Sequence, residues 1–436
     1  MYNQIERKIA RSLESFPILR QGLKMIYQRA NYYLSPERTK TQYFLDLRVK
    51  LINPCERDSN TPCFFGYYDK KPWSSDMRYL LFHKLANDNK TIEIMLYDYL
   101  SNEVTAIGSS LAWNFQQGSM AQWIASIGSN EVVYNTCHHG GLSAHIVNIN
   151  DNSRRVIPST IQSLHPARCE ALTLNYKRLD MLRPEYGYSC ECNRYNGNQD
   201  LAKDGIWRVD LNTGETELLI SLYHLSTLEN SKYHMKNAQH KVNHIIYSPT
   251  GKRFVFMHRW FETTGKYSRL YVMDNDGSNL KLIMDERMVS HYHWYDDDHI
   301  VVYGRIAREG DRFYLINVLD GAHRIIAKDI LDKNGDGHPS FSPDRKWLVM
   351  DTYPDRARFQ HLYLVHMPTQ TVYEVGKFFH PWKYIDAMRC DLHPRWSPDG
   401  RFISIDSVFS GIRQSYIIDV SKLLDDVTSN GGEPGE

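Results

Sequence analysis

One short pattern recurs at NHIIYSPTG (243–251), SHYHWYDDD (290–298), GHPSFSPDR (337–345) and LHPRWSPDG (392–400). In each stretch a histidine stands three residues before an aromatic residue, and a tight turn follows. The histidines lie 47, 47 and 55 residues apart and are His244, His291, His338 and His393. A period of this length, with short strands between the turns, is typical of the blades of a β-propeller. The same position of successive blades therefore carries a histidine.

Aligned on this turn, the chain divides into seven units. The first three span about 64–108, 109–157 and 158–222, and the four histidine units continue to about residue 422. Each unit repeats a turn, an apolar strand, a loop and a second strand, which is the order of an antiparallel sheet. The sequence therefore predicts an all-β fold, a seven-bladed β-propeller over residues 41–422.

The two ends of the propeller need a separate interpretation. The seventh unit runs into the polar stretch SKLLDDVTSNGGEPGE instead of a fourth strand. Residues 41–52 are expected to supply that strand, because a ring closed in this way has no exposed sheet edge. Residues 423–436 are expected to form a disordered tail, since they are too polar to bury a core.

Residues 1–40 are expected to form a basic, amphipathic helical extension. Apolar residues recur there at helical spacing, namely Ile5, Ile9, Leu13, Leu19, Leu23 and Ile26. Lysine and arginine dominate the polar face of this segment. Such a helix either packs on the propeller or on a partner protein, or docks at a membrane surface.

Composition excludes some classes of partner. The 436 residues carry a formal net charge of +1, which gives no reason to expect nucleic acid. No apolar run reaches the length of about 18 residues that a transmembrane helix needs. The N-terminus lacks the apolar region of a secretory signal, and the seven cysteines lack the spacing of a disulfide framework. We therefore expect reduced thiols and a cytoplasmic protein, with peripheral attachment at the inner membrane as the alternative.

Strand direction places the four histidines on one face of the propeller. The first strand of each blade leads into the turn, and the second strand runs back antiparallel to it. The end of the second strand therefore lies beside the start of the first strand, on the same face of the propeller. A single histidine there commonly bonds to a neighbouring strand, but four of them, with Cys390 nearby, favour a divalent metal. Zinc is the expected ion, with manganese or calcium as alternatives. Which ligands converge stays open; the first choices are His244, His338, Cys390 and His393, and His291 competes with His293.

The loops around this mouth carry further polar residues. His138 and His139 precede two glycines, and can be either a solvated turn or an acid–base pair. A long insertion over 176–205 is rich in tyrosine and arginine, with Tyr176, Arg178, Arg183, Tyr186, Tyr188 and Arg194. Arginine forks around a carboxylate, so the insertion suits carboxylated sugars. Arg208 follows on the next strand, and Arg259 and Arg413 lie in other loops of the mouth.

Several motifs together resemble a known family. They are FFGYYDKKPW (64–73), AWNFQQGSMAQW (112–123), RPEYGY (183–188), HPSFSPDRKWLVMDTYPD (338–355) and DLHPRWSPDGRFISIDS (391–407). They are similar to the seven-bladed-propeller polysaccharide lyases of the oligogalacturonate-lyase and ulvan-lyase kind. They also resemble propeller proteins encoded with capsule or O-antigen synthesis genes. The resemblance covers about residues 63–418.

The resemblance implies β-elimination beside a uronic acid, in which a neutralised carboxylate makes the neighbouring proton removable. In ulvan-type members the catalytic set is two histidines, a tyrosine and an arginine. His138 or His139, then Tyr188 and Arg208, match that order here. The other histidine has no match, and Asn114 and Gln117 stand where a base is expected. The implied metal ligands are His244, His258, Cys390 and His393.

The expected partner is therefore an acidic polysaccharide or a lipid-linked glycan. Arg178, Arg183, Arg259, Arg413, Asn114 and Gln117 are the residues expected to bind it. The alternative is a non-catalytic glycan-binding or scaffold propeller, or a glycosyltransferase-associated protein, in capsule or O-antigen synthesis. A glycosyltransferase itself is disfavoured, because the chain has no doubly wound βα pattern and no glycine-rich nucleotide loop.

Overall fold

Seven antiparallel sheets follow one another along the chain and form a ring. The structure is a computed structural model that describes residues 17–34, 42–54, 60–124, 130–191, 200–228, 235, 238–262 and 265–429. Buried apolar clusters lie between neighbouring sheets, such as the one that joins the fourth sheet to the fifth. The predicted seven-bladed β-propeller is confirmed.

Each blade contributes its strands in chain order from the central channel outward. Blade one comprises the strands Cys63–Phe64, Tyr79–Leu85, Ile92–Asp98 and Glu103–Ser110. Blade two comprises Gln122–Trp123, Glu131–His138, Gly141–Asn148 and Arg154–Ile157. Blade three comprises Ser163–Leu164, Glu170–Leu174, Gly205–Asp210 and Thr216–Ser221. Blade four comprises Gln239–Tyr247, Arg253–Glu262, Gly265–Asp274 and Lys281–Met284. Blade five comprises Val289–Trp294, His299–Ile306, Gly310–Asn317 and His323–Ile325. Blade six comprises Pro339–Phe341, Trp347–Asp351, Phe359–His366 and Thr371–Phe379. Blade seven comprises Arg395–Trp396, Phe402–Ser407 and Gln414–Asp419.

Two short N-terminal strands complete the last two blades. Lys50–Ile52 pairs antiparallel with Gln414–Asp419 and is the fourth strand of blade seven. Tyr43–Leu45 pairs with Thr371–Phe379 instead and gives blade six a fifth strand. The segment 41–52 therefore serves two blades, because a turn at residues 47–48 separates its strands.

A buried carboxylate joins the last blade to the first. Asp406, on the second strand of blade seven, accepts hydrogen bonds from the backbone N–H groups of Phe65 and Gly66 at 3.0 and 2.9 Å. The Arg395 guanidinium donates to the same carboxylate at 2.7 Å and to the Gly66 carbonyl at 2.5 Å. Gly66 has φ +126°, and a Cβ there would lie 2.7 Å from the Gln117 carbonyl carbon, so only glycine fits this junction.

The helices lie outside the blades. They are Pro17–Leu34, Tyr176–Leu182, Leu222–Thr227, Lys328–Asn334 and Ser421–Ser429, with short 3-10 turns at Pro184–Tyr186, Leu201–Lys203 and Asp386–Met388. The N-terminal helix is anchored on blade six, where the Tyr32 ring lies 5.9 Å from Trp382 and 6.4 Å from Phe379. None of the described helices is long and apolar enough to cross a membrane.

Two expectations from the sequence are wrong in part. The disordered tail does not begin at residue 423, because Ser421–Ser429 is a helix that buries Leu423, Leu424 and Val427 against the propeller. Residues 430–436 lie outside the described part of the chain. The thiols are not all reduced, since Cys137 is disulfide-bonded, whereas Cys63, Cys169, Cys190 and Cys390 form no disulfide.

Replacing Asp406 by Ala is expected to destabilise the fold by about 3–5 kcal/mol, because it leaves the buried Arg395 charge and two buried N–H groups unpaired. Chemical denaturation measures the change. Asp425→Ala is the matched control, since Asp425 pairs with Arg401 at an exposed site, where an ion pair contributes about 0–1 kcal/mol. Equal effects of the two substitutions would contradict this role for Asp406.

Candidate functional site

The four repeat histidines form a continuous row at one mouth of the propeller. The ring centroids are 6.1 Å apart for His244 and His291, 4.1 Å for His291 and His338, and 4.3 Å for His338 and His393. All four side chains are buried. Tyr67, from the first blade, stacks on His244 at 4.9 Å and meets the edge of His393 at 4.9 Å. The row is therefore held together by aromatic contacts across the ring.

The backbone turns two of these histidines toward the centre. His244 and His393 have φ of +52° and +47°, a left-handed conformation that histidine adopts rarely. His244 lies in a β-bulge, where the pairing register shifts between Asn243 and Ile246. A bulge of this kind re-aims a side chain, and such strained positions are concentrated at functional sites.

His338, Asp391 and His393 bring three potential metal ligands together. One ligand atom from each residue lies within 4.8 Å of the other two. Nε2 of His338, Nε2 of His393 and Oδ1 of Asp391 are buried and have no hydrogen-bond partner among the described residues. Buried polar atoms are almost always paired, so three orphan atoms on residues whose ligand atoms lie this close together indicate a missing ligand.

The other ring nitrogens of the two histidines are fixed from behind. Nδ1 of His338 donates to Asp351 at 2.8 Å, and Nδ1 of His393 donates to the Gly66 carbonyl at 2.9 Å. Since a carboxylate and a carbonyl only accept, each Nδ1 carries the proton and each Nε2 presents a lone pair. Asp351 also accepts from the backbone N–H groups of His338 and His393 at 2.7 and 3.1 Å. One buried carboxylate thus orients the imidazole of His338 and fixes the backbone of His393.

Asp391 is held as a carboxylate by its neighbours. Burial by itself raises the pKa of Asp391, but Arg389, whose Nε donates to Oδ2 at 2.7 Å, and His338 outweigh burial and lower it. Two imidazole nitrogens and one carboxylate oxygen suit divalent first-row ions such as manganese, iron or zinc. The residues present therefore fit a divalent metal, and the donor set does not single out zinc.

Three residues expected as ligands are not part of this cluster. Cys390 packs with Tyr384 and Val408, and burial raises the pKa of its thiol to about 12. Neighbours along an extended segment point to opposite sides, so Asp391 rather than Cys390 faces the histidines. His244 shares its Nε2 with the Tyr67 hydroxyl at 3.2 Å. His258 lies inside blade four, where its Nε2 is 3.0 Å from Nδ1 of His240.

His291 forms a carboxylate–imidazole pair beside the ligand cluster. Its Nδ1 donates to Asp336 Oδ1 at 3.0 Å, and Ser290 donates to the other oxygen at 2.6 Å. This leaves Nε2 as the basic nitrogen. Tyr353 packs against both His291 and His338, at 6.4 and 5.8 Å between ring centroids, and the Arg389 guanidinium lies 5.2 Å from its ring.

The catalytic set implied by the resemblance is not assembled at the row. His138 and His139 are exposed on the hairpin of blade two, with rings 4.1 Å apart. Tyr188 is buried against Tyr176 at 4.3 Å and accepts from Asn135 at 2.8 Å. Arg208 is paired with Glu217. It lies among residues of the turns at the opposite face, because the third strand of blade three has run away from the mouth.

The insertion delivers Tyr186 to the mouth instead. The Tyr186 ring lies 5.3 Å from His244 and 5.9 Å from Tyr67, both edge-on. The Arg183 guanidinium lies 5.0 Å from the Tyr186 ring. Arg178 anchors the insertion helix, since its Nε donates to the buried Asp204 at 2.5 Å.

The remaining residues expected to bind substrate are Asn114, Gln117, Arg259 and Arg413, and most of them bond to other residues of the chain. Asn114 is a loop residue that donates to the Gly187 carbonyl at 3.1 Å. Gln117 is buried, and both atoms of its side-chain amide lack a partner among the described residues. Arg259 lies on blade four near the mouth and donates to Ser268 at 3.1 Å. Arg413 donates to the carbonyls of Met388 and Arg389 at 2.8 Å and so fixes the loop that carries Arg389.

The sequence analysis missed Asp336, Arg389 and Asp391, and it assigned no role to Tyr353. A signal was present for two of them, because an aspartate precedes each of two repeat histidines by two positions, in DGHP and DLHP. Tyr353 follows the second strand of blade six, whereas Arg389 stands in a loop that no repeat aligns. Only the ring geometry brings them to the histidines.

The sequence matches no family model and no curated protein. Solved structures share the fold. An oligogalacturonate lyase from Vibrio parahaemolyticus is 15% identical, with a TM-score of 0.61 over 87% of this chain and 96% of that one. An oligogalacturonate lyase in complex with manganese is 16% identical, with a TM-score of 0.62 over 86% of this chain and 95% of that one. At such identities the likeness shows a common propeller fold.

The ligand cluster predicts which substitutions remove a metal. His338→Ala and His393→Ala each delete an orphan ring nitrogen, and Asp391→Asn removes the carboxylate charge; each is expected to weaken Mn²⁺ or Zn²⁺ binding by about 10-fold or more. Isothermal titration calorimetry on chelator-treated protein measures this. Cys390→Ala is the matched control, one residue from Asp391, and is expected to bind as the wild type does. Loss of binding in Cys390→Ala alone would overturn the assignment.

Proposed function

We propose that this protein binds a divalent metal at His338, Asp391 and His393 and cleaves a uronic-acid-containing glycan by β-elimination. The observation that carries the proposal is the set of three buried, unpartnered ligand atoms beside a carboxylate-bound histidine. The fold shared with an oligogalacturonate lyase in complex with manganese supports the same reaction class.

The reaction needs the substrate carboxylate to be neutralised, a base to remove the adjacent proton, and an acid for the leaving oxygen. A bound divalent metal supplies Lewis-acid neutralisation of the carboxylate. Arg389 lies next to this position, since its guanidinium bonds to Asp391 and to Gln116. Its remaining donors are placed to fork around an acidic group.

His291 is proposed as the base that removes the proton. Its Nδ1–H bond to Asp336 holds the imidazole in the tautomer whose Nε2 accepts a proton, and Asp336 stabilises the cation that results. The ring lies 4.1 Å from His338, so a sugar bound at the ligand cluster is within its reach.

Tyr353 is proposed as the acid for the leaving oxygen. Four tyrosines, Tyr67, Tyr68, Tyr186 and Tyr353, pack on the rings of the row. Tyr67 bonds to His244, and Tyr68 bonds to both the N–H and the carbonyl of Tyr292. Among the described residues the Tyr353 hydroxyl has no such bond, and its ring packs on His291 and His338, whereas the Tyr186 ring packs on His244. Tyr353 is therefore the tyrosine placed to donate to a substrate at the ligand cluster. His138, His139, Tyr188 and Arg208 remain a prediction of the resemblance that needs its own variants.

A second candidate function is glycan binding without catalysis. The observation that favours it is the dispersal of Tyr188, Arg208 and the His138–His139 pair away from the row. In this case the protein is a binding or scaffold propeller for an acidic polysaccharide or a lipid-linked glycan in capsule or O-antigen synthesis. Its cytoplasmic location, with peripheral attachment through the N-terminal helix, also stays a proposal.

Purified protein supplied with Mn²⁺ or Zn²⁺ is expected to generate an unsaturated uronate, followed by its near-UV absorbance, from at least one polymer in a uronic-acid panel. His291→Ala and Asp336→Asn are expected to lower the rate, the former by about 10²–10⁴-fold, because the proton then lacks its base. His224→Ala is the control, since His224 is exposed on a separate helix.

Each outcome distinguishes the candidates. His138→Ala and Tyr188→Phe, assayed alongside, test the set implied by the resemblance. Absorbance that His291→Ala leaves unchanged rejects His291 as the base. No absorbance from any polymer, while a uronate oligosaccharide still binds, rejects the lyase and supports the binding propeller.

A further inference from the structure

Blade four carries a cluster of cations on one face at its mouth end. Lys241 pairs directly with Arg259 across two antiparallel strands, and Lys266 pairs with Phe261, two residues beyond Arg259. Residues opposite each other, or two apart on one strand, share a face, so all three cations project to the same side. Arg259 donates to the Val289 carbonyl at 3.2 Å, so this face looks toward blade five.

The cluster is unfavourable in the absence of an anion. Lys241 is only 1% exposed, and its Nζ has no hydrogen-bond partner among the described residues. Arg259, directly opposite, is also buried. Like charges opposite each other destabilise a sheet, and a buried ammonium without a partner is costly. A fold does not retain this arrangement for stability, which points to a bound anion.

A fourth cation, Arg183, lies at the same end of the mouth, where its guanidinium is 5.0 Å from the Tyr186 ring that packs on His244. Burial lowers the pKa of Lys241 well below its ordinary value, and the charges of Arg259, Arg183 and Lys266 lower it further. Arg259 is also the chief cause of the lowered pKa of Lys266, which stands at the exposed rim. Each cation therefore acts on the others at short range.

The nearby carboxylates do not neutralise this charge. Glu185 is the anion that acts on Lys241, but it already forms an ion pair with Arg183, with 3.5 Å between Oε2 of Glu185 and Nε of Arg183. Asp336, which acts on Lys266, is already bonded to His291 and Ser290. Among the described residues, these two carboxylates are therefore too engaged with other partners to neutralise the four cations.

The cation cluster and the metal-ligand cluster belong to one mouth. His244 lies next to the cations, since Arg259, Arg183 and Lys241 add to the burial that lowers its pKa. The His244 ring is 6.1 Å from His291, which in turn is 4.1 Å from the ligand His338. A ligand that spans the row of histidines therefore reaches both clusters.

We propose that Lys241, Arg259 and Lys266, with Arg183, form a second anion subsite, so that the ligand is a glycan with acidic groups on at least two sugar units. One acidic group lies at the metal-ligand cluster, and the other, a carboxylate or a sulfate ester, lies at the cations. The anion subsite stands on its own observations; its assignment to a glycan rests on the proposed function.

The test uses full-length protein with a chelator present, so that it is independent of metal and of catalysis. The probes are sodium sulfate, a galacturonate oligosaccharide and the same oligosaccharide with its carboxyl groups reduced, all at matched ionic strength. Thermal unfolding and titration calorimetry follow binding. Sulfate or the acidic oligosaccharide is expected to raise the unfolding temperature of the wild type, and the reduced oligosaccharide is not.

Lys241→Met is the decisive variant. Without a probe it is expected to unfold at a higher temperature than the wild type, because a buried ammonium whose contact is the Phe261 ring at 5.8 Å, with no hydrogen-bond partner among the described residues, is replaced by an apolar side chain of similar length. Its affinity for the anionic probe is expected to fall about 30-fold or more, as for loss of one partner of a buried charge pair. Lys252→Met, on an exposed turn at the opposite face, is the matched control.

The outcomes separate the sources of the anion. Binding of the acidic oligosaccharide without sulfate supports uronates on both sugar units, and binding of sulfate alone supports a sulfated glycan. Lys266→Gln, at the rim, gives the same readout if Lys241→Met does not fold. No stabilisation of the wild type by either anion, or an equal shift in Lys241→Met, overturns the subsite. A protein that binds these anions yet releases no unsaturated uronate fails the lyase proposal while the subsite stands.

Discussion

The buried carboxylate of Asp406 is the junction on which the rest of the structure depends. It joins the last blade to the first by accepting the N–H groups of Phe65 and Gly66 and the Arg395 guanidinium. A closed ring has no exposed sheet edge, and each blade then packs against two neighbours. The same junction shapes the site, because the Gly66 carbonyl fixes the ring of His393 and the next residue, Tyr67, stacks on His244.

A second buried carboxylate, that of Asp351, joins two blades inside the mouth. Asp351 orients His338 through its side chain and His393 through its backbone, so two blades present their Nε2 atoms to one point. Asp391, held by Arg389, adds an oxygen. The mouth thus has an end organised by carboxylates, where a cation fits, and an end on blade four organised by Lys241 and Arg259, where an anion fits. This polarity is what an acidic chain molecule with a fixed orientation requires.

The sequence predicted the propeller, its blade count and the closing segment because turns and strand patterns are local and repeat. It also placed the right histidines at one mouth, since strand direction follows from the turn. The sequence did not predict correctly which of two adjacent residues supplies the metal ligand. Cys390 was chosen and Asp391 was missed, although adjacent side chains on an extended segment face opposite ways. Arg208 was assigned by its order in the chain, but it points into the opposite face, where Glu217 pairs with it.

The sequence by itself therefore determined the repeat, the architecture and the row of histidines, because these depend on periodicity and strand direction. Only the tertiary structure decided which atoms converge. Ligands from blades six and seven, a base from blade five and cations from blade four meet through ring closure, which no local pattern encodes. Burial also contributes, because the polar atoms that nothing within the described chain satisfies include those of His338, Asp391, His393 and Lys241.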